Sequence, residues 1–215
     1  MISAITPSRG RPARLVTSIN SLFATAEGPI EVWVGYDSDD LATRDAALAA
    51  GAHVLEFPER LGYGRLNEYF SALAEASSGE WVQQWDDCAI MQTQGWDRLI
   101  NDLPTTVMVG DLQNHFSPHL CCFPAVRREA VNAVGRYSLD TPHVDTVWEV
   151  IGRYLNAIQP VAAYVHHDRP DITGIPADAT HTEGRLEHRS SEFHGPEFQA
   201  LLREAAERVR AACLQ

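Results

Sequence analysis

The stretch that decides the fold class is IEVWVGYDSDDLATRDAALAAGAHVLEF, residues 30–57. Its first seven residues alternate in character and are rich in β-branched and aromatic residues. This pattern predicts a strand that runs into the acidic turn 37–40. Residues 41–50 are rich in alanine and stop at a glycine, as a helix does, and residues 52–57 predict a further strand. A strand, a helix and a strand in succession form the unit from which parallel sheets are built.

The same alternation continues on both sides of this unit. A strand over residues 2–6 precedes a helix with apolar residues at helical spacing, and a helix over 65–76 precedes a strand over 80–85. This order predicts an α/β fold, a mostly parallel sheet flanked by helices on both faces, whose ligands bind at the carboxyl ends of the strands. Three polar turns lie at such ends, at residues 7–12, 37–40 and 86–87.

The second half of the chain is less regular. Its predicted elements are helices at 95–103, 127–135 and 143–157, extended segments at 105–109 and 120–126, and a late strand at 161–166. Residues 168–195 are rich in Asp, His, Thr, Gly and Pro and predict a long loop, of the kind that serves as a lid. Residues 196–213 predict an amphipathic helix that packs on the core.

Composition excludes several classes of protein. With 215 residues, 45% hydrophobic and 21% charged, the chain is predicted to form one globular domain rather than a disordered, collagenous or coiled-coil structure. No apolar run reaches the roughly 18 residues of a membrane helix, and the first residues lack a signal-peptide pattern, which predicts a cytoplasmic protein. A net charge of -12 disfavours extensive nucleic-acid binding. The four cysteines lack CxxC or zinc spacing, and we expect them to be reduced.

Two of the polar turns carry residues suited to binding ions. Asp86 and Asp87 follow an apolar strand, and paired carboxylates suit Mg²⁺ or Mn²⁺, although an isolated Asp-Asp pair is more often a solvated turn. Arg9 and Arg11 form a compact cradle for phosphate, or are two surface arginines. There is no GxxxxGK[ST] loop and no GxGxxG. The sequence therefore offers neither a P-loop nor a dinucleotide fingerprint.

The acidic turn after the second strand has two readings. Asp37 and Asp39 are placed to hydrogen-bond a base or a ribose, whereas Asp40 is better placed to cap the helix that follows. We expect both uses together.

Later in the chain, Asp145 opens a helix together with His143, as a capping partner or as a general base. His166, His167 and Asp168 end a strand, where they are structural or bind a metal. No GxSxG elbow and no HExxH helix is present, which disfavours a serine hydrolase and a zinc protease of those types.

In chain order these motifs resemble the GT-A nucleotide-sugar glycosyltransferases, and above all the short single-domain members of the inverting family 2 found in bacteria and bacteriophages. The resemblance covers roughly residues 2–167, and its segments are 5–12, 34–40, 60–67, 81–88, 95–97, 123–135 and 143–145. It implies one domain, 1–215, with a nucleotide-binding half (1–103), an acceptor-side half (104–167), a loop or lid (168–195) and a C-terminal helix (196–213). For a phage-encoded chain the expected location is the host cytoplasm.

The resemblance implies transfer of a sugar from a nucleotide-sugar donor, with UDP favoured, to an acceptor hydroxyl, with Mn²⁺ or Mg²⁺ as cofactor. It implies inversion with Asp145 as the base, oriented by His143. The implied metal ligands are Asp87 with His166 or His167, while Asp86 contacts the ribose or a metal-bound water. The residues implied to bind the nucleotide-sugar are Pro7, Ser8, Arg9, Arg11, Asp37, Asp39, Gly62, Arg65, Asn67 and Asp86.

Three other functions stay open on the sequence. A nucleotidyltransferase shares the sheet architecture. It usually carries a longer glycine-rich turn and a basic residue after the first strand, a pattern that is absent here. A non-catalytic module would bind a nucleotide-sugar without turnover, and a metal-dependent hydrolase would use His166, His167 and Asp168. The acceptor is equally open: a glycan, a lipid-linked sugar, a protein side chain, a small molecule or a modified DNA base in a phage.

Overall fold

The structure, a computed structural model, describes residues 1–114, 120–169, 173–174, 176–186 and 190–214. The strands of the described residues are β1 (Ile2–Pro7), β2 (Ile30–Asp37), β3 (His53–Phe57), β4 (Trp81–Gln84), β5 (Ala89–Met91), β6 (Val109–Asn114), β7 (Pro124–Arg127) and β8 (Ile158–His167). The α-helices of the described residues are α1 (Pro12–Thr25), α2 (Leu41–Ala49), α3 (Leu66–Ala76), α4 (Trp96–Asn101), α5 (Arg128–Val134), α6 (Val144–Leu155), α7 (Ala179–Leu186), α8 (Ser190–Phe193) and α9 (Pro196–Cys213). A 3₁₀ turn, Tyr63–Arg65, leads into α3.

The strands form one sheet in the order β3-β2-β1-β4-β7-β6-β8-β5. The first half is parallel, because β1 pairs with β2 and β4, and β2 pairs with β3, all in the same direction. Beyond β4, the pairs β4-β7, β7-β6 and β8-β5 are antiparallel, and β6-β8 is parallel. The predicted α/β fold with a mostly parallel sheet is confirmed.

Helices bury an apolar cluster on each face of the sheet. On one face, Leu15 and Ile19 of α1 pack with Val32 and Trp85. The cluster on the other face includes residues of α3, α5, α6 and α9, with Trp148 of α6 fully buried in it. Since side chains alternate along a strand, neighbouring residues of β1 and β4 contribute to opposite clusters. Both faces are covered as expected.

The amphipathic C-terminal helix packs on the core, as predicted. Leu202, Ala205 and Val209 of α9 are buried in the cluster that holds α5 and α6. None of the helices in the described ranges is long and apolar enough to cross a membrane.

The local structure differs from the sequence predictions at several places. The extended segments expected at 105–109 and 120–126 are largely loops, because β6 begins only at Val109 and β7 only at Pro124. Strand β5 was missed, since its three residues are too few to show a period and are extended by pairing with β8. The loop expected at 168–195 contains α7 and α8, while residues 170–172, 175 and 187–189 of that prediction lie outside the described residues.

Candidate active site

A cavity of about 820 Å³ opens where β1, β2 and β4 end. The lining residues are Pro7 at the end of β1, Ser8 just after it, Asp37 at the end of β2, and Asp86 and Asp87 after β4. This edge is where ligands of parallel α/β sheets bind. The three polar turns therefore meet in one cavity because their strands run in the same direction.

The turn after β1 is tied to the turn after β2. Arg9 donates to Asp37 (2.9 Å) and, through two nitrogens, to Asp39 (2.5 and 2.8 Å). Gly10 takes a φ of +68°, which favours glycine, and its N–H donates to Asp40 Oδ2 (2.7 Å). Asp40 Oδ1 also accepts from the backbone of Thr43 (3.2 Å), so the predicted cap of α2 is confirmed. Asp39 is exposed and does not line the cavity.

Asp37 is buried and held by a tyrosine that the sequence did not single out. The Tyr69 hydroxyl of α3 donates to Asp37 Oδ1 and accepts from the backbone N–H of Leu61 (2.9 Å). Burial and the neighbouring Asp37 carboxylate raise the pKa of Tyr69, so its hydroxyl keeps its proton. Tyr69 lies in the helix predicted over 65–76, and only the folded structure brings its hydroxyl to Asp37.

The segment that opens α3 places only part of its predicted site in the cavity. Gly62, with a φ of +77°, lines the cavity. Arg65 lies outside the cavity and pairs with Glu68 (2.5 Å) and Glu59 (3.7 Å). Asn67 is buried in α3 and does not line the cavity either.

The two carboxylates after β4 point to different partners. Asp87 is buried and accepts from Ser8 Oγ (2.8 Å) and Arg11 Nη1 (3.0 Å). Asp86 is half-buried, and its Oδ2 lies 3.0 Å from His167 Nε2. Ser18 Oγ of α1 donates to the Asp86 carbonyl (3.0 Å) and so fixes the backbone between them.

These surroundings shift the pKa values of the two carboxyl groups in opposite directions. Burial raises the pKa of Asp87, although the charge of Arg11 and the bond from Ser8 oppose it. Burial also acts on Asp86, but the hydrogen bond and the charge of His167 outweigh it, and the pKa of Asp86 is lowered. Asp86 is therefore ionised at neutral pH and adjacent to an imidazole.

Only one of the two histidines at the end of β8 reaches this place. His167 is buried, and its ring packs edge-on against Phe123 with centroids 5.0 Å apart. Its Nδ1 is buried with no hydrogen-bond partner. His166 faces the other side of β8, opposite Ile90 of β5, and is absent from the cavity. Asp168 does not line the cavity either, and its Oδ1 accepts from Thr173 Oγ1 (3.0 Å). The cluster required by the hydrolase alternative thus does not point into one site.

Asp86 and His167 fit a divalent cation that other ligands complete. Adjacent ligands about 2.1 Å from an octahedral ion lie about 3.0 Å apart. Asp86 Oδ2 and His167 Nε2 form a hydrogen bond of 3.0 Å with each other, so the two donor atoms are already close enough to share one ion. In the part of the chain that the structure describes, no group of three or more His, Cys, Asp or Glu side chains could hold an ion alone. A bound cation would therefore need ligands from water or from a phosphorylated substrate, as Mg²⁺ commonly does.

Asp145 faces the same cavity from the first turn of α6. Its Oδ1 accepts from the backbone and the hydroxyl of Thr146 (2.7 and 3.2 Å). Burial, supported by the charge of Asp86 and opposed by Thr146, raises the pKa of Asp145 to about 6. A carboxylate with such a pKa is suited to accept a proton near neutral pH. His143, the residue at the start of α6, packs its ring against Phe193 of α8 (5.3 Å).

Residues of α7 and of the segment before it line the cavity or engage Arg11. Asp178 accepts from Arg11 Nε and Nη2, each at 2.6 Å, and His181 Nδ1 lies 2.6 Å from the same Nη2. An arginine has five N–H groups. With the bond to Asp87, four contacts engage Arg11, whose side chain is only 10% exposed. Arg11 is thus occupied by side chains of its own chain.

A second set of contacts ties α7 to the turn before α3. Glu183 pairs with Arg60 and accepts from the backbone N–H of Tyr63 (3.4 Å), while Gly184 lies against the Tyr63 ring. These residues and Arg169 line the cavity but were not predicted from the sequence. Arg60 and Tyr63 lie in the segment 60–67 that carries the resemblance, and Arg169 is a cation two residues after His167, whereas Glu183 and Gly184 offered no signal.

No protein-family model matches the sequence, and no curated protein matches it. Solved structures do match it. Glucosyl-3-phosphoglycerate synthase from Mycobacterium tuberculosis, in complex with Mn²⁺, UDP and glucosyl-3-phosphoglycerate, is 18% identical; the match covers 99% of this chain and 80% of that one, with a TM-score of 0.63. The mannosyltransferase PcManGT from Pyrobaculum calidifontis, in complex with GDP-Man and Mn²⁺, is 14% identical (97% and 69%, TM-score 0.66). TarS from S. aureus is 13% identical (98% and 49%, TM-score 0.60).

This chain has the GT-A fold. Within it, the predicted site residues divide into two groups. The residues that line the common cavity are Pro7, Ser8, Arg9, Arg11, Asp37, Gly62, Asp86, Asp87, Asp145 and His167. The predicted residues outside the cavity lining are Asp39, Arg65, Asn67 and His166.

Proposed function

We propose that this chain is a metal-dependent glycosyltransferase that moves a sugar from a nucleotide-sugar to an acceptor hydroxyl. One observation carries the proposal: a cation-spaced pair, Asp86 and His167, shares a cavity with a carboxylate whose pKa is raised, Asp145. Two structurally similar proteins are described with Mn²⁺ and a nucleotide or nucleotide-sugar, which supports the same chemistry here.

We assign the cation, Mn²⁺ or Mg²⁺, to His167 and the carboxylate of Asp86, with its other ligands from water or the diphosphate. Asp86 is the carboxylate beside His167, whereas the sequence had favoured Asp87 as the metal ligand. When bound, the cation neutralises the charge that develops on a diphosphate leaving group. An incomplete set of protein ligands suits this role, because it leaves positions for phosphate oxygens.

The nucleotide would lie along the turns after β1 and β2. Asp37, fixed by Tyr69 and Arg9, offers carboxylate oxygens to a base or ribose. Arg11 adds positive charge beside Asp87, where a diphosphate would lie. Asp178 accepts two hydrogen bonds from Arg11 in this structure. These bonds must break before Arg11 can bind phosphate.

Asp145 would act as the general base. It takes the proton from the acceptor hydroxyl as the oxygen of that hydroxyl bonds to the anomeric carbon, and the bond from that carbon to the diphosphate breaks on the opposite side. Attack from opposite the leaving group inverts the configuration. Tyr63 and Cys122, which also line the cavity, are poor bases because burial raises the pKa of each to about 12, so neither ionises near neutral pH.

Thermal unfolding with and without Mn²⁺, in the presence of UDP, GDP, dTDP or CDP, tests the proposal. A nucleotide at about a hundred times its Kd stabilises the fold by about 2.7 kcal/mol. We expect one nucleotide to raise Tm only with Mn²⁺, and His167→Ala to abolish this rise. His166→Ala is the matched control, since its side chain lies outside the cavity. A rise with Mn²⁺ alone, or none with any nucleotide, would contradict the proposal.

Turnover separates an enzyme from a binding module. Wild-type protein should release UDP or GDP from the matching nucleotide-sugar when a suitable acceptor is present. Asp145→Asn should keep the Mn²⁺-dependent rise in Tm and lose transfer, because only the base is removed. Equal transfer by this variant would eliminate Asp145 as the base.

A further inference from the structure

Gln84, the last residue of β4, is a buried polar side chain in the wall of the cavity. The residue is only 6% exposed and lines the cavity, and its Oε1 is buried without a hydrogen-bond partner. Buried amide groups in folded proteins are normally hydrogen-bonded. An unmade bond beside an open cavity is explained if a bound ligand supplies the partner.

The neighbouring Gln83 shows what a purely structural glutamine does in this strand. Its Nε2 donates to the carbonyls of Gln84 (2.7 Å) and Phe123 (3.1 Å), which ties β4 to the segment before β7. Its Oε1 also lacks a partner, but the residue is fully enclosed and does not line the cavity. Only Gln84 is within reach of a ligand.

The position of Gln84 points to one part of the substrate. Strand alternation places it with Val82 on the face covered by α3 and α6, the face from which Asp145 enters the cavity. Two residues further on, Asp86 belongs to the cation pair. The transferred sugar must lie between Asp145 and the cation pair, because its anomeric carbon is bonded to the diphosphate and attacked by the acceptor.

We propose that Gln84 hydrogen-bonds a hydroxyl group of the transferred sugar and so determines which donor sugar is used. This inference rests on the proposed glycosyltransferase function. A neutral carboxamide both donates and accepts, as a hydroxyl does, whereas the diphosphate is matched by arginine. Leu66 and Phe70 of α3 line the same cavity, and apolar neighbours make a missing hydrogen bond costly.

The substitution Gln84→Met tests this, because it nearly keeps the volume and removes both hydrogen-bonding atoms. UDP-glucose, UDP-galactose, UDP-N-acetylglucosamine and GDP-mannose are first compared with wild-type protein and Mn²⁺. The donor that is used best is then compared with its monodeoxy analogues. For wild type we expect one analogue to lose about a hundredfold or more in kcat/KM. For Gln84→Met we expect that preference to fall to within about threefold, while the Kd of the free nucleotide is unchanged.

Gln83→Met is the matched control. It should lower Tm, because it removes the bonds from Nε2 to the carbonyls of Gln84, Phe123 and Pro124, and keep the preference among donor analogues. If Gln84→Met binds the nucleotide normally and keeps the wild-type preference, the assignment of Gln84 is refuted while the proposed function stands. If wild-type protein shows no Mn²⁺-dependent nucleotide binding, the proposed function itself fails.

Discussion

Replacing Asp178 by Asn should make the protein bind its nucleotide more tightly. In the structure the Asp178 carboxylate accepts two hydrogen bonds of 2.6 Å from Arg11, which is the cation we assign to the diphosphate. This pairing also holds the pKa of Asp178 well below its usual value. A diphosphate and Asp178 therefore compete for the same guanidinium. Asparagine keeps the shape of the side chain and removes the competing charge.

The magnitude follows from the strength of that pair. Hydrogen bonds to charged groups contribute about 1.5–3 kcal/mol each. Asp178 is 37% exposed, so solvent screening reduces the sum, and we take about 1.4–2 kcal/mol for the pair. Only protein whose Arg11 is released can bind the diphosphate, and the apparent affinity is proportional to the fraction of protein in that state. Releasing Arg11 should therefore lower Kd about 10- to 30-fold.

Calorimetric titration of UDP or GDP in the presence of Mn²⁺ measures this change. Asp45→Asn is a matched control, because Asp45 pairs with Arg44 (2.7 Å) on α2, where neither residue lines the cavity. An unchanged or higher Kd for Asp178→Asn would refute the competition. A higher Kd would indicate that the pair stabilises the nucleotide-bound state instead.

Three further outcomes are expected. The rate of transfer should rise with pH through about 6 and then level off, because Asp145 must be ionised to accept a proton; a flat pH–rate profile through this range would contradict its role. The fold raises the pKa of Asp145 from 3.8 to about 6, so ionisation of Asp145 lowers the stability of the protein as the pH rises from 3.8 to 6. At a pH well above 6, Asp145→Asn should therefore have a higher Tm than wild type, and at a pH below 3.8 the same Tm, as calorimetry can show. Ser18→Ala removes the bond to the Asp86 carbonyl and should weaken activation by Mn²⁺ about tenfold, whereas Thr17→Ala on the exposed side of α1 should not.

Much of the fold and part of the candidate site could be predicted because they depend on local patterns. The alternation of strands and helices in the first ninety or so residues predicts a parallel sheet. A parallel sheet brings the ends of its strands to one edge, so Ser8, Asp37 and Asp87 could be expected to meet there before any contact was known. Their roles in binding stay predictions, since only their common placement is observed.

Other features of the site could not be predicted because they depend on register. A slip of one residue along β8 would place His166, instead of His167, in the cavity. The pairing of β8 with β5 and β6 decides between them, and that pairing includes an irregularity next to Leu112. Strand β5 has no periodicity of its own to reveal this partnership.

The sequence by itself determined the α/β class, the cap of α2 by Asp40 and the polar ends of the strands, because each depends on residues close together in the chain. Tertiary structure alone decided that Asp178, 167 residues away, engages Arg11, that Tyr69 holds Asp37, and that Asp86 is the carboxylate beside His167. Such contacts form only when distant segments are packed together, and hydrophobic periodicity carries no information about which charged side chains then meet.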